Sequence, residues 1–475
     1  FRFTSIMIIL LGIFMSLCII PSILYKEDDI YAITLSALIT LLSGLIIRIT
    51  VWKLDIKDIT NREAYLIVTL GWIMIAIFGS LPYLLSGTIK DITGALFEST
   101  SGLTTTGATV LRNVEALPHG ILLWRSLSQW IGGMGFVMLT IALIPMLATG
   151  GLKIMASDIL DLTAEQPSKT FLKSIRNLWF AYFIITIIIA IAYKLGGMNI
   201  FDAICHAFTT ISTGGFSTHN NNIAFFNPKL QYIIIICMLI SGANFPLIVK
   251  ALTGKPLHLF KSQELRYYIL LIIFISGIIA ASLIIFLNEN IEVAIRTSLF
   301  QVISFISTTG YIVTDYTLWL PPLWFILFLL ILTGSCSGSS GGGLKVMRQL
   351  IMIKSTLNYI KNAINPHAVY IVKIDNKIIN EDIIHNTLAY YFIYLMIFVV
   401  GSFFISLIGM DFKTSIGVAA SAIGNIGPGI GYAGPYPFYD TFPVIGKLLV
   451  IGLMLIGRLE FFSILILFSS SFWKK

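Results

Sequence analysis

The sequence predicts an all-α polytopic membrane protein: four pseudo-fourfold-related membrane–pore–membrane repeats around one central pore, preceded by an N-terminal two-helix hairpin. Three observations predict it. Hydrophobic residues make up 57% of the 475 residues and charged residues only 11%, whereas soluble domains carry about 25% charged residues. Apolar runs long enough to cross a bilayer recur from end to end. Four shorter apolar runs each lead into a glycine-bearing stretch.

The long apolar runs predict about ten full spans, at 5–24, 31–49, 65–86, 121–147, 177–197, 231–253, 267–287, 322–344, 386–409 and 444–469. The four short runs lie near 93–105, 200–212, 294–308 and 412–425. They are too short to cross and are typical of re-entrant helices. Lys and Arg concentrate in the loops that this topology places inside, so both termini are expected to be cytoplasmic.

The short runs end in stretches that align on one glycine: Gly107, Gly214, Gly310 and Gly427. Glycine permits dihedrals that turn successive carbonyl groups the same way, and rings of carbonyl oxygens replace the hydration shell of an alkali cation. Two positions earlier stands an oxygen-bearing side chain: Thr105, Ser212, Thr308 or Asn425. One such glycine would be read as helix packing. Four at matched positions favour a pore.

This alignment predicts a filter that binds an alkali cation, and no other metal site. Its predicted residues are Thr105, Thr106, Gly107, Ala108, Ser212, Thr213, Gly214, Gly215, Thr308, Thr309, Gly310, Tyr311, Asn425, Ile426, Gly427 and Pro428. The fourth copy departs from the pattern, because Ile426 and Pro428 flank its glycine, and a looser ion cage is expected there. The cation is expected as a bound substrate, with no organic cofactor.

Residues 334–343, within the eighth predicted span, are all glycine or serine except Cys336. Continuous helix there would cost about 1 kcal/mol per glycine relative to alanine. The apolar run before it is about half a membrane thickness long, which predicts an unwound loop near mid-membrane, below the filter; the alternative is a linker at the membrane surface. Arg458 lies within the last span and should face water or a partner, with a structural ion pair to Glu460 or another acid as the alternative.

Several motifs together resemble one family. They are Trp-Arg-Ser-Leu-Ser-Gln-Trp-Ile-Gly-Gly-Met-Gly at 124–135, the four glycine stretches, the Gly/Ser stretch through Lys345, Asn-Pro-His-Ala-Val at 365–369 and Gly-Arg-Leu-Glu at 457–460. On these the sequence resembles the TrkH/TrkG/KtrB superfamily of potassium transport proteins over essentially its whole length. The added N-terminal hairpin makes the TrkH branch the most similar.

The resemblance implies potassium uptake across the bacterial inner membrane, as a homodimer controlled by a cytosolic TrkA-like nucleotide-binding ring. It also implies that the unwound loop is an intramembrane gate, formed by Gly334, Ser335, Gly338, Ser339, Ser340, Gly341, Gly342 and Gly343 together with Arg458. The segment 345–385 is expected to help dock the ring and contact the second subunit. By similarity to related plant transporters, glycine at Gly107 favours potassium over sodium.

Some alternatives remain open from the sequence. A secondary transporter coupling potassium to protons or sodium would need a buried titratable or second-ion site, and the spans carry few acids. Glu98 could attract cations or make a structural hydrogen bond, and His206 is expected to be a packed residue. No catalytic constellation is evident, nor a nucleic-acid-binding stripe; membrane lipid is the other expected partner.

The repeats predict the following division of the chain: 1–60 is the N-terminal hairpin, 61–165 the first repeat, 166–260 the second, 261–360 the third with the gate loop, and 361–475 a cytoplasmic segment with the fourth repeat.

Overall fold

The computed structural model describes residues 2–51, 61–143, 167–252, 259, 261–435 and 439–473. These residues are mostly helical, with one antiparallel pair of two-residue strands, β1 (Lys373–Ile374) and β2 (Lys377–Ile378). The helices are α1 (Arg2–Leu17), α2 (Ile19–Tyr25), α3 (Asp29–Thr50), α4 (Asn61–Gly79), α5 (Leu81–Leu85), α6 (Ile92–Leu103), α7 (His119–Leu143), α8 (Pro167–Leu195), α9 (Ile200–Ile211), α10 (Pro228–Ser241), α11 (Phe245–Leu252), α12 (Gln263–Leu287), α13 (Ile291–Ile306), α14 (Pro321–Thr333), α15 (Val346–Ile364), α16 (Glu381–Leu407), α17 (Phe412–Gly424), α18 (Val444–Arg458), α19 (Phe462–Leu465) and α20 (Ser470–Trp473).

Within the described residues, six helices are long and apolar enough to cross a membrane. A seventh candidate is the pair α10 and α11, bent by 101°. Two of the predicted full spans, 231–253 and 444–469, are not continuous helices. In the first, the chain bends at Gly242, where an added Cβ would press on Ser307. In the second, α18 stops at Arg458, and Glu460 and Phe461 adopt the left-handed conformation.

The four short apolar runs form the short helices α6, α9, α13 and α17. Three of them begin with a side-chain cap: Asp91, Asn199 and Asp411 each accept a hydrogen bond from a backbone N–H of the first turn. Such caps satisfy donors that the helix itself leaves free. In Asp91, the hydrogen bond from Thr93 lowers the carboxyl pKa below its ordinary value. Each short helix thus starts at a defined residue and ends in a glycine-bearing segment.

The four repeats close into a ring. Each short helix packs on the long helix before it and also on the second span of the preceding repeat: α6 on α4 and α18, α9 on α8 and α7, α13 on α12 and α10, and α17 on α16 and α14. The first repeat therefore meets the fourth as the second meets the first. This arrangement is the predicted fold class, with the hairpin α1–α3 packed outside the ring on α4 and α7.

Polarity is inverted relative to a soluble protein. Large apolar side chains such as Phe180, Phe274 and Phe392 are exposed on the outer helices, while the hydroxyls at the ends of the short helices are buried. An apolar exterior of this kind suits lipid. The chain is a multi-pass membrane protein. Its four cysteines are buried and free.

Some of the cations that predict cytoplasmic termini fall in 52–60 and 144–166, which lie outside the described residues. Arg125 lies within the predicted span 121–147 and is buried in α7, only 2% exposed, where it pairs with Glu98.

Candidate functional site

The short helices all end in the same backbone pattern. The first matched residue has a left-handed backbone, with φ of 55° at Thr105, 53° at Thr213, 59° at Thr308 and 52° at Asn425. Two residues later comes a glycine with φ of 81° at Gly107, 80° at Gly215, 77° at Gly310 and 88° at Gly427. A β-branched residue at positive φ is a rare, strained conformation. Three threonines sharing it make the four segments structural equivalents.

These equivalences correct the sequence alignment of the second repeat by one residue. The glycine equivalent to Gly107 is Gly215, not Gly214, and the equivalent of Thr105 is Thr213, not Ser212. The second repeat has two adjacent glycines for different reasons. Gly215 has the positive φ, whereas a Cβ on Gly214 would overlap the side chain of Gln129.

The four segments pack against one another through backbone atoms. A Cβ on Gly107 would overlap the carbonyl oxygen of Gly214 in the next repeat. The same relation holds between Gly215 and the Thr309 carbonyl, Gly310 and the Ile426 carbonyl, and Gly427 and the Thr106 carbonyl. Each glycine thus faces the oxygen of the residue that precedes the matched glycine of its neighbour. The contacts run around the ring and close it.

Two side-chain oxygens of these segments are buried and have no hydrogen-bond partner among the described residues: Thr105 Oγ1 and Asn425 Oδ1. The amide of Asn425 is otherwise held, because its Nδ2 donates to Thr106 Oγ1 at 2.9 Å and to the Met454 carbonyl at 3.0 Å. Buried polar atoms normally have a partner. These two oxygens can therefore accept a ligand.

A buried ion pair supports the first segment from behind. Glu98 on α6 lies 2.9 Å from Arg125 Nε and accepts hydrogen bonds from the Thr109 hydroxyl and, at 3.0 Å, from the Val110 N–H. Arg125 also stacks 4.1 Å above the ring of Phe216 in the second segment. Both charged side chains are buried. Glu98 is thus a structural partner of Arg125 and is not exposed to attract cations.

The equivalent positions on the next two short helices are also polar. His206 on α9 contacts the Ser217 hydroxyl at 3.0 Å through Nε2 and is fully buried, as predicted for a packed residue. Gln301 on α13 is buried too, and within the described residues its amide has no hydrogen-bond partner. Tyr311 braces the third segment, since its hydroxyl bonds to Thr209 Oγ1 at 2.5 Å and donates to the His206 carbonyl at 3.2 Å.

On one side of the ring the chain between α14 and α15 forms a glycine-rich loop, residues 334–345, which is not helical and is mostly buried. It touches the ends of three short helices. Ser340 donates to the Ile211 carbonyl at 2.9 Å, and the Gly342 N–H donates to Thr308 Oγ1 at 2.9 Å. A Cβ on Gly342 would overlap the Gly424 carbonyl oxygen. The predicted loop residues and the predicted glycine segments therefore meet directly.

Two cations hold this loop. Arg458 donates to the Ser340 carbonyl at 2.8 Å and to the Gly132 carbonyl at 3.0 Å, and Lys345 Nζ donates to the Gly341 carbonyl at 2.6 Å. The alternative ion pair of Arg458 with Glu460 is not formed, because Glu460 pairs with Arg348 at 2.8 Å. Lys345 was visible in the sequence only as the last residue of the Gly/Ser motif, and it was not predicted as an anchor of the loop.

On the other side of the ring lies a cavity of about 100 Å³, lined by Gly107, Gly215, Gly310 and Pro428 among others. His219 is at its rim, 3.1 Å from Asp202 and 3.2 Å from Glu115. Burial alone would lower the pKa of His219, but hydrogen bonds and charge from these two carboxylates outweigh it, so the pKa is raised. His219 thus connects the first two repeats beside this cavity through its contacts with Glu115 and Asp202.

A closed ring of four matched segments inside a bundle of membrane spans defines a multi-pass membrane transport protein. The family model for TrkH cation transport proteins matches residues 32–475, and the chain belongs to this family. The TrkH branch predicted from the motifs is confirmed, and the chain is an ion-transport protein rather than an enzyme.

Named relatives support the same assignment. The chain is 35% identical to the Trk system potassium uptake protein TrkH of Halomonas elongata, over 88% of this chain and 87% of the relative. It is 33% identical to TrkH of Escherichia coli K12, over 99% of both chains. The crystal structure of the potassium transporter TrkH from Vibrio parahaemolyticus is similar with a TM-score of 0.90, at 30% identity, over 100% of this chain and 98% of that chain.

The ion pair behind the ring generates a stability prediction. Glu98→Leu leaves the Arg125 charge buried without its carboxylate, which costs about 3–5 kcal/mol. The double variant Glu98→Leu/Arg125→Met removes both charges, and we expect it to recover most of that loss. Thermal unfolding of the purified protein in detergent measures both, with exposed Glu289→Leu as the control. Equal unfolding temperatures for the single and double variants would contradict a paired role.

Proposed function

We propose that this protein carries potassium into the cell across the bacterial inner membrane, and that the ring of glycine segments is its selectivity filter. The observation that carries the proposal is the closure of the ring, in which four backbone segments of one chain pack carbonyl against glycine. Four such segments can surround a dehydrated cation with oxygens at similar distances. The names of the relatives, potassium uptake proteins of the Trk system, support potassium as the substrate.

In this proposal an ion enters from the cavity beside His219, exchanges water for carbonyl oxygens in the ring, and leaves past the ends of the short helices. The unpartnered Thr105 Oγ1 and Asn425 Oδ1 supply side-chain oxygens at that exit. The short helices end there, so the partly negative ends of their dipoles also favour a cation. Selectivity comes from the ring, and the fourth segment, with Asn425 and Ile426, contributes a less regular set of oxygens than the others.

We further propose that the glycine-rich loop is the gate. Its contacts with Ile211, Thr308 and Gly424 put it across the exit of the ring, where it blocks an ion that has passed the oxygens. Arg458 and Lys345 hold it by donating to its carbonyl groups. Opening requires that the loop leaves these contacts.

A cytosolic nucleotide-binding partner is the proposed source of the opening force. The loop runs directly into α15, which continues through the predicted repeat limit at 360 to Ile364. Its far half exposes Leu357, Ile360 and Ile364, which is an apolar stripe at helical spacing. A partner that binds there pulls on Lys345 through a single helix. We also propose a homodimer, cytoplasmic termini, and the repeat limits given by the sequence.

The transport mode has two candidates, a gated conduit and a transporter that couples potassium to protons or sodium. The conduit is the better supported, because the four segments meet through backbone carbonyls, and Glu98, the buried acid next to the first segment, is already paired with Arg125. In purified protein reconstituted in bilayers, we expect the reversal potential to follow the potassium gradient, by about 59 mV per tenfold change, at every pH. A stoichiometric dependence on the proton or sodium gradient would establish the coupled mode instead.

Gly107→Ser is expected to lower potassium-over-sodium discrimination. The new Cβ would overlap the Gly214 carbonyl oxygen and would strain a backbone at φ of 81° by about 1–2 kcal/mol, so the ring must distort. Permeability ratios from bilayer recordings measure the effect. Gly277→Ser is the matched control, since a Cβ there meets nothing within 4 Å. An unchanged ratio in a folded Gly107→Ser protein would remove the first segment from the filter.

The gate proposal predicts that shortening the loop raises flux without any partner. Deleting residues 338–341 removes the plug and the Ser340 carbonyl that Arg458 holds, so rubidium uptake into liposomes should rise while the permeability ratio stays constant. Arg458→Ala and Lys345→Met should act in the same direction but less, because each removes one anchor and leaves the loop. Exposed Arg266→Ala is the control. If the deletion protein inserts normally and its uptake equals that of the unmodified protein, the gate lies elsewhere.

A further inference from the structure

The residue before the matched glycine differs among the four segments. It is Thr106, Thr309 or Ile426 in three repeats and Gly214 in the second. In the other three, a buried side chain occupies the space behind the segment; Thr309 Oγ1, for example, contacts Ser307 Oγ at 2.7 Å. The second segment has no side chain of its own at this position.

Gln129 of the first repeat fills that space. It lies on α7, is fully buried, and its side chain stands where a Cβ on Gly214 would be. Its Nε2 donates to the Gly214 carbonyl oxygen at 2.7 Å, and its Oε1 accepts from the Phe216 N–H at 3.1 Å. The carboxamide therefore bridges two backbone groups of the second segment, on either side of the matched Gly215.

The carbonyl that Gln129 holds is also the one that faces Gly107. The position of the Gly214 carbonyl determines how the first and second segments contact each other. A donor from behind occupies one lone pair of that oxygen and fixes its position, so the second segment offers the ion an oxygen that cannot move freely. Resting on the proposed function, we propose that Gln129 is a specificity-determining positioning residue, which sets the Gly214 carbonyl within the potassium filter.

A side chain that only filled space would be replaced without loss by another of equal size. Gln129→Met keeps the length and most of the volume but removes both hydrogen bonds. We expect it to lower the potassium-over-sodium permeability ratio about fivefold, the factor that one net hydrogen bond of about 1 kcal/mol represents. The two backbone groups that lose their partner should also lower the unfolding temperature, so the ratio is measured on protein that inserts and folds normally. Ser128→Ala on the same helix is the control, because the Ser128 hydroxyl donates to the Arg125 carbonyl of its own helix at 2.7 Å rather than to a glycine segment.

A compensating pair gives a second, independent readout. Gly214→Thr alone should destabilise the protein, because its side chain and Gln129 cannot occupy one space. In Gln129→Ala/Gly214→Thr the space is free, and the second segment regains the Thr-Thr-Gly sequence of the first. We expect the double variant to discriminate better than Gln129→Ala alone, which lacks both the amide and any replacement.

The outcomes separate the two proposals. An unmodified protein without preference for potassium over sodium in bilayers would overturn the filter itself. A selective unmodified protein together with a folded, equally selective Gln129→Met would overturn only the role of Gln129. If Gln129→Met fails to fold, the comparison of Gln129→Ala with Gln129→Ala/Gly214→Thr decides: recovered discrimination supports the role, and none overturns it.

Discussion

The packing of carbonyl oxygen against glycine around the central ring is the contact on which the rest of the structure depends. At each joint, such as Gly107 against the Gly214 carbonyl, a side chain is excluded by the neighbouring backbone. Backbone at membrane depth needs partners because lipid offers none. The four segments are held by the short helices, with their polar caps, and by the second spans of the preceding repeats. These elements contact the segments where lipid offers no hydrogen-bond partner. The outer helices can therefore vary in apolar sequence while the ring remains the same.

Because one chain supplies all four segments, each joint is braced differently. The first is held by the Glu98–Arg125 pair and by Gln129, the second by the Tyr311 hydroxyl, and the last by the Asn425 amide on Thr106. A symmetric tetramer would repeat one brace four times. In this protein, a substitution in the brace of one joint leaves the braces of the other joints in place. Each joint of the ring can therefore change separately.

The sequence predicted the four repeats, the hairpin and the unwound Gly/Ser loop, since each leaves a pattern in run length and glycine content. The register of the second segment could not be predicted, because Gly214 and Gly215 are adjacent glycines and the sequence alone does not show which of them matches Gly107. Only φ and the contact with Gln129 separate them. The sequence also missed the break after Arg458. Glu460 is a poor candidate for a left-handed residue by local propensity, and its conformation accompanies the buried pair with Arg348, a contact between residues far apart in the chain.

The contacts of the glycine-rich loop also bear on the gate that we propose. Arg458 donates to carbonyls of both the loop and α7, while Lys345 donates to the loop itself. Moving the loop away leaves buried donors and acceptors to be paired again, and an unpaired buried group costs about 1–3 kcal/mol. In the proposed gate these contacts therefore favour the arrangement described here as long as nothing pulls on α15. The proposed partner has to supply the difference through that helix, so the same hydrogen bonds that hold the loop set the work required to move it.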